Sequence, residues 1–280
     1  MAKDEDVAVR RAVAENPNAL AETLATLAKD EDGRVRTHVA KNLNTSVEAL
    51  ATLAKDEDWE IRMHVAGNSN APVDILAALA ENKEGLVRMR VAENPNALAK
   101  TLATLAKDEN WRVRTHVAEN LNTPVEALAT LAKDKDPNIR KSVAGHLNTS
   151  IDVLAELAKD KEAMVRIAIA RNPNAPAATL ATLAKDEDQD VRMRAETLAK
   201  IPSKIGNVEI TAEQRLALQE GKGIEIKGIK DKAGKAYDTT YVIIDQKTKK
   251  IKLLQQQDKK KFQIKSVAKI APIKRKGIKI

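Results

Sequence analysis

Arginine recurs at Arg10, Arg36, Arg62, Arg88, Arg114, Arg140, Arg166 and Arg192, at one unvarying step of twenty-six. No other feature limits the fold of this 280-residue chain so tightly. A strict period of this length belongs to arrays whose units bury their apolar faces only against neighbours. The other columns keep the same step. Leucine stands at Leu24, Leu50, Leu76, Leu102, Leu128, Leu154 and Leu180, and again three residues later from Leu27 to Leu183. Asparagine stands at Asn18, Asn44, Asn70, Asn96, Asn122, Asn148 and Asn174. Long strings also recur at three times that step, so that ENPNALAETLATLAKDED at 15–32 reappears as ENPNALAKTLATLAKDEN at 93–110. Such recurrence points to duplication of a three-unit block.

Each unit reads as two short helices. Val35 and Val39 share one face at i,i+4 spacing. The first helix is expected to end near Asn42, a residue that tolerates a left-handed C-cap, and Pro17, Pro95 or Pro173 then forbids continuation in three units. The second helix is expected to open with a capping box. Thr123 would be the N-cap, Pro124 the first helical residue and Glu126 the third, and Thr45-Ser46-Val47-Glu48 repeats the pattern. Val125, Leu128 and Leu131 would then face the core, and a Lys-Asp-Glu/Lys-Asp turn closes the unit. Stacked pairs of this kind make an α-solenoid.

Composition agrees and narrows the function. Only five residues are aromatic while 43% are apolar, so the core must be aliphatic. The absence of cysteine excludes disulfides, thiolate metal sites, iron–sulfur clusters and cysteine nucleophiles. No 18-residue apolar run and no apolar leader stretch is present, which predicts a soluble, cytoplasmic protein without a membrane partner. No phosphate loop, G-x-S-x-G or H-E-x-x-H occurs. Carboxylate pairs repeat in every unit, whereas a catalytic pair should be singular. A non-enzymatic protein with no cofactor and no small-molecule substrate is expected.

The string V-R-x-x-V-A-x-N-P-N-[TA]-P-x-x-x-L-x-x-L-A-x-D, carried with variations over roughly residues 3–200, resembles the leucine-rich repeat variant family. The resemblance implies a mainly α fold: a right-handed superhelix of two-helix repeats, similar in appearance to HEAT repeats. Some members carry an iron–sulfur module ahead of the repeats, and this chain has no cysteine to ligate one. Some HEAT-like solenoids are DNA glycosylases. That remote alternative is disfavoured, because residues 1–200 carry 28 Lys+Arg against 32 Asp+Glu and only two tryptophans.

Four columns are candidates for interaction. An acid lies six residues before most of the arginines (Asp4, Asp30, Asp56, Asp108, Asp134, Asp160, Asp186), with Asn82 the departure; a bidentate ladder between adjacent turns is expected. The asparagines are expected to satisfy turn backbone. His38, His64, Arg90 and His116 share one column at the edge of the buried stripe. Adjacent columns lie about 10 Å apart, too far for shared ligands about 2 Å from one zinc, so a basic stripe toward phosphate or an acidic partner is the functional reading. Trp59 and Trp111, placed in the turn before the first helix, would serve as anchors for a protein partner.

After Lys200 the period disappears. Ile201-Pro202-Ser203 reads as a linker between a solenoid at 1–200 and a small basic α+β domain at 201–280. Thr211-Ala212-Glu213-Gln214 reads as a capping box opening a helix that ends at Gly221. Strands are expected at 224–229, 237–245, 251–254 and 261–267, with turns at 231–235 and 246–250. The stretch 205–222, with 228–235, resembles a domain of unknown function found in proteins of bacterial conjugative transposons, which implies a place in mobile-element machinery.

Residues 201–280 hold 20 Lys+Arg against 8 Asp+Glu. Lys247, Lys249, Lys250, Lys259, Lys260, Lys261, Lys274, Arg275 and Lys276 fit non-specific contact with nucleic-acid phosphate through counterion release. Tyr237, Tyr241 and Phe262 give little support to base stacking. Two functions follow: a scaffold whose solenoid holds a protein partner while the basic domain contacts nucleic acid, or a purely protein–protein adaptor. The chain opens on Lys3-Asp4-Glu5-Asp6, the closing turn of a unit, so the first helix pair is expected to lack a cap. That pattern suggests a fragment, a start inside a longer array, or an end covered by another chain.

Overall fold

The computed structural model describes residues 1–202, 204–219, 221–230, 234, 236–237, 240–244 and 251–254. Contacts divide the chain into two units, Met1–Ala168 and Ile169–Ile280.

In the first unit, longer and shorter helices alternate. The longer set comprises α1 (Val7–Glu15), α3 (Gly33–Lys41), α5 (Trp59–Gly67), α7 (Gly85–Glu93), α9 (Trp111–Glu119) and α11 (Pro137–Gly145). The shorter set comprises α2 (Ala21–Leu27), α4 (Val47–Leu53), α6 (Val73–Leu79), α8 (Ala99–Leu105), α10 (Val125–Leu131) and α12 (Ile151–Leu157). α13 (Ala163–Arg171) crosses the division. Successive long helices pack on one another. Val35, Val39, Ala40, Leu50 and Leu53 are fully buried, and the equivalent residues of later units repeat this. Each buried leucine contributes about 1.5–3 kcal/mol, so the spine grows by a constant increment per repeat.

Local chemistry fixes most helix starts. Asp32, Asp58 and Asp136 cap α3, α5 and α11 by accepting from backbone N–H groups. The shorter helices depart from expectation. Pro124 is the N-cap of α10, while the Thr123 hydroxyl is buried and donates to the Val117 carbonyl. Ser46, rather than Thr45, caps α4, and Thr45 donates to the Val39 carbonyl. The threonine is drawn inward because a carbonyl freed at the end of the preceding helix needs a donor. This shift turns Val125 out of the core, to 43% exposure. Ala127, Leu128 and Leu131 form the buried stripe, and Val125 stands roughly 110° round the helix from its centre at 100° per residue.

The end of α3 differs as well. Asn42 has φ −72° and ψ 127°, an extended rather than left-handed cap. Its side chain explains the choice. Nδ2 donates to the Ala14 and Asn16 carbonyls of the previous unit, both at 2.9 Å, and the amide oxygen accepts from Asn44 N. Asn68, Asn94 and Asn120 repeat these bonds. This inner asparagine column lies two residues before the column read from the sequence.

The second unit holds α14 (Ala177–Leu183), α15 (Gln189–Ala199) and the small α+β part. Ile201, assigned to a linker, is buried. The two-stranded pair β1 (Lys204–Ile205) and β2 (Val208–Glu209) turns through Gly206 at φ 61°. α16 (Ala212–Gln219) opens with the expected reciprocal box, Thr211 N to Gln214 Oε1 and Gln214 N to Thr211 Oγ1. It closes at Gly221 (φ 76°) with Lys222 N bonded to the Ala217 carbonyl and Gly221 N to that of Leu218, a Schellman ending. Gly228 (φ 72°) splits the expected strand at 224–229 into β3 (Ile224–Ile226) and β4 (Ile229–Lys230). β4 pairs antiparallel with β5 (Ala236–Tyr237). β3, β6 (Thr240–Ile244) and β7 (Ile251–Leu254) form an antiparallel sheet in the order β3-β6-β7. The expected strand at 261–267 and turn at 246–250 lie outside the described residues, as does all but Gly234 of the turn at 231–235.

Candidate partner-binding face

Two polar systems lock the repeats together and set what remains free. In the first, Arg10 binds Asp30 through Nε–Oδ2 at 2.7 Å and Nη2–Oδ1 at 3.1 Å, and its Nη1 donates to the carbonyls of Asp4 and Glu5. Arg36–Asp56, Arg88–Asp108, Arg114–Asp134 and Arg140–Asp160 repeat the grip. The ladder is therefore real, but its carboxylate is the acid 20 residues after each arginine. The acid six before contributes only its backbone carbonyl. The hydrogen bond from Arg10 holds the Asp30 carboxyl below its ordinary range. Arg62 breaks the series. Asn82 stands where its carboxylate partner would be, and the buried Arg62 Nε has no hydrogen-bond partner.

In the second system, the outer asparagines act as expected on turn backbone: Asn44, Asn96, Asn122 and Asn148 donate to the carbonyls of Pro17, Ser69, Pro95 and Leu121. His146 stands in the inner column. Its Nε2 faces the Asn120 carbonyl at 3.0 Å and its Nδ1 accepts from Asn148 N at 3.0 Å. That geometry fixes the neutral tautomer protonated at Nε2, and burial pushes the ring's pKa down.

The candidate residues lie on the exposed side of the long helices. His38, His64, Arg90 and His116 occupy equivalent places on α3, α5, α7 and α9, each only partly exposed. They do not form an uncompensated basic stripe. Arg90 Nη1 is 2.7 Å from Glu93, His116 Nε2 is 3.3 Å from the same carboxylate, and His116 Nδ1 is 3.6 Å from Glu119. His64 lies 3.7 Å from Glu60. Burial depresses the His64 pKa, and the nearby cations Lys41 and Arg90 add to this. His38 lines a groove of about 500 Å³ together with Arg11, Arg34, Thr37 and Glu60.

Trp59 and Trp111 are the first residues of α5 and α9 rather than turn residues. They remain 39% and 48% exposed, and Leu86 on the intervening α7 is 42% exposed. Arg112 sits over the Trp111 ring, 4.7 Å from its centroid. Sequence reading missed Leu86 because its column also holds charged residues. It missed the role of Glu93 because the bridge to His116 crosses to the neighbouring unit and leaves no local spacing signal.

The lysines and arginine proposed for nucleic acid, Lys247, Lys249, Lys250, Lys259, Lys260, Lys261, Lys274, Arg275 and Lys276, lie outside the described residues. Tyr241 is buried at 4% exposure and offers no stacking surface. Among the described residues, no helix is long and apolar enough to cross a membrane.

A sequence model described as leucine rich repeat variant matches residues 111–136, one full period. The solved structure titled a leucine-rich repeat variant with a novel repetitive protein structural motif is 31% identical, with a TM-score of 0.54; the match covers 69% of this chain and 76% of that one. The Escherichia coli protein YibA is 16% identical over 71% of this chain and 98% of its own, with a TM-score of 0.42. A designed armadillo repeat protein is 14% identical over 70% and 94%, with a TM-score of 0.25. No curated protein matches the chain.

Proposed function

Because the chain belongs to the leucine-rich repeat variant family, we propose that its solenoid is a non-enzymatic scaffold that holds a protein partner on the exposed side of the long helices. One observation carries this reading. The only two tryptophans of the chain stand on one face of an otherwise aliphatic array, well exposed, with Leu86 on the helix between them. Large aromatic anchors beside apolar neighbours are what a protein interface uses. His38, His64, Arg90 and His116 form the polar border of this face, with Glu60, Glu93 and Glu119 interleaved. Such a border selects a partner by matched charge rather than by bulk attraction.

The test is capture of partners by the full chain beside Trp59→Ala/Trp111→Ala. Loss of a specifically captured protein in the double variant, with unchanged circular dichroism, is expected. Equal capture by both proteins would sink the assignment of this face.

The lysine density from Lys247 to the end of the chain favours a second reading, in which the basic end also contacts nucleic acid without base specificity. A place in mobile-element machinery and a cytoplasmic location belong to the same reading. The boundary that goes with it separates a scaffold at 1–200 from a basic module at 201–280. Titration of the full chain with random duplex DNA checks it: log K should fall steeply with log salt, and a slope near zero would leave the purely protein-binding adaptor.

A further inference from the structure

We propose that the described residues between Ile201 and Lys230 form the terminating cap of the helical array, with Arg215 standing in for the asparagine of a repeat that does not follow. The observation behind it is a substitution of one donor for another at an equivalent carbonyl. In the first unit, the residue after the inner asparagine column presents its carbonyl to the next repeat. Pro17, Ser69, Pro95 and Leu121 each receive an outer-asparagine Nδ2, at 2.6 to 2.9 Å. Pro173 occupies the same place in the last pair. The outer-column position that would send an asparagine back to it is Lys200, the C-cap of α15, which carries no amide. Instead Arg215 Nη1 on α16 donates to the Pro173 carbonyl, and its Nη2 donates to that of Ile201 at 3.3 Å.

The surroundings are built to hold that arginine. The capping box and the Schellman ending fix both ends of its helix. Gln214 Nε2 ties the helix to the Glu225 carbonyl. Asn207 binds the Gly228 carbonyl and accepts from Lys230 N, joining the β1–β2 turn to β4. Ile201, Ile205, Ile210, Leu218, Ile224 and Ile229 are all buried. A repeat array needs an end whose outer face is polar, and here the residues outside this apolar set, such as Glu209, Glu225 and Lys230, are exposed. An unsealed end would pair with another copy head to tail, which is an open-ended contact.

Hydrogen exchange and sedimentation of the full chain test the proposal, comparing wild type, Arg215→Met and Arg215→Lys. In Arg215→Met, exchange within α14 and α15 should rise about tenfold or more, the loss of charge-assisted bonds to backbone. Exchange in α3, α5 and α7 should stay as in wild type, and sedimentation should show association that grows with concentration. Arg215→Lys, which keeps one donor nitrogen in place of two, should fall between the two. Unchanged exchange in α14 and α15 of Arg215→Met overturns the proposal, and so does loosening spread equally over both units. If Arg215→Met does not fold, the lysine variant decides, and exchange equal to wild type counts against the cap.

Discussion

The guanidinium of Arg36 grips the carboxylate of Asp56 in the following repeat, Nε to Oδ2 at 2.7 Å and Nη2 to Oδ1 at 3.2 Å. Both side chains are about nine-tenths buried, at 15% and 8% exposure. A buried pair of this kind is costly to break from one side, because the remaining charge keeps its desolvation penalty.

Asn82 is the native break in that series, so Asn82→Asp should repair it. The new carboxylate would meet the bare Nε of Arg62 and still accept from Glu84 N, as Asn82 Oδ1 does at 3.0 Å. The expected gain is about 1.5–3 kcal/mol, the range for hydrogen bonds to charged groups. Asp56→Asn should copy the break and cost about 3 kcal/mol. Urea unfolding of the full chain measures both, and a neutral Asn82→Asp would mean that Arg62 has no deficit to fill.

His146, like His64, predicts an acid sensitivity. Its folded pKa is lowered by burial, while the unfolded ring titrates near 6.5. Above that value both states are neutral and the stability is fully present. As pH falls below it, the unfolded chain takes up the proton first and stability declines. Protonation in the folded state would turn Nδ1 into a donor facing Asn148 N–H. His146→Asn restores the column's usual residue and should lessen the slope of the stability curve between about pH 7 and pH 5, leaving the share of His64. A curve of unchanged slope would assign the sensitivity elsewhere.

The second helices offer a direct contrast. Leu128 is fully buried and Val125 is 43% exposed. Leu128→Ala should cost about 2–5 kcal/mol through lost transfer energy and the cavity left behind. Val125→Ala should change stability by less than about 0.5 kcal/mol. Similar losses for both in chemical denaturation would mean that Val125 packs into the core after all.

Two glycines at the same helical position should respond oppositely. A Cβ on Gly33 would make ordinary contacts, the nearest atom being Arg36 Nη2 at 3.8 Å. Gly33→Ala should stabilise by about 0.4–1 kcal/mol, by restricting the unfolded chain. A Cβ on Gly85 would come within 2.6 Å of Asn110 Nδ2. Asn110 caps α9 by accepting from Arg112 N, so moving it sacrifices a cap worth about 1 kcal/mol. Gly85→Ala should therefore be neutral or destabilising in thermal unfolding. Equal gains at both positions would show that Asn110 turns aside freely.

The sequence by itself determined the helical pairs, their period, the buried columns Val35, Val39, Leu50 and Leu53, and the capping box at Thr211. Those depend on neighbours within one turn or one helix, where spacing in the chain is spacing in space. It could not place Val125 or Thr123, because a hydroxyl can satisfy the next helix or the preceding one and only packing chooses. Nor could it choose the partner of Arg36. Asp30 and Asp56, which lie before and after that arginine, stand exactly one period apart and so belong to the same column. The column is visible in one sequence, but whether it pairs within a repeat or across to the next is decided only when the repeats stack. The same ambiguity hid the Nδ2 bonds of the inner asparagines and the Glu93–His116 bridge, which run to the neighbouring repeat, and with them the residues that border the candidate face.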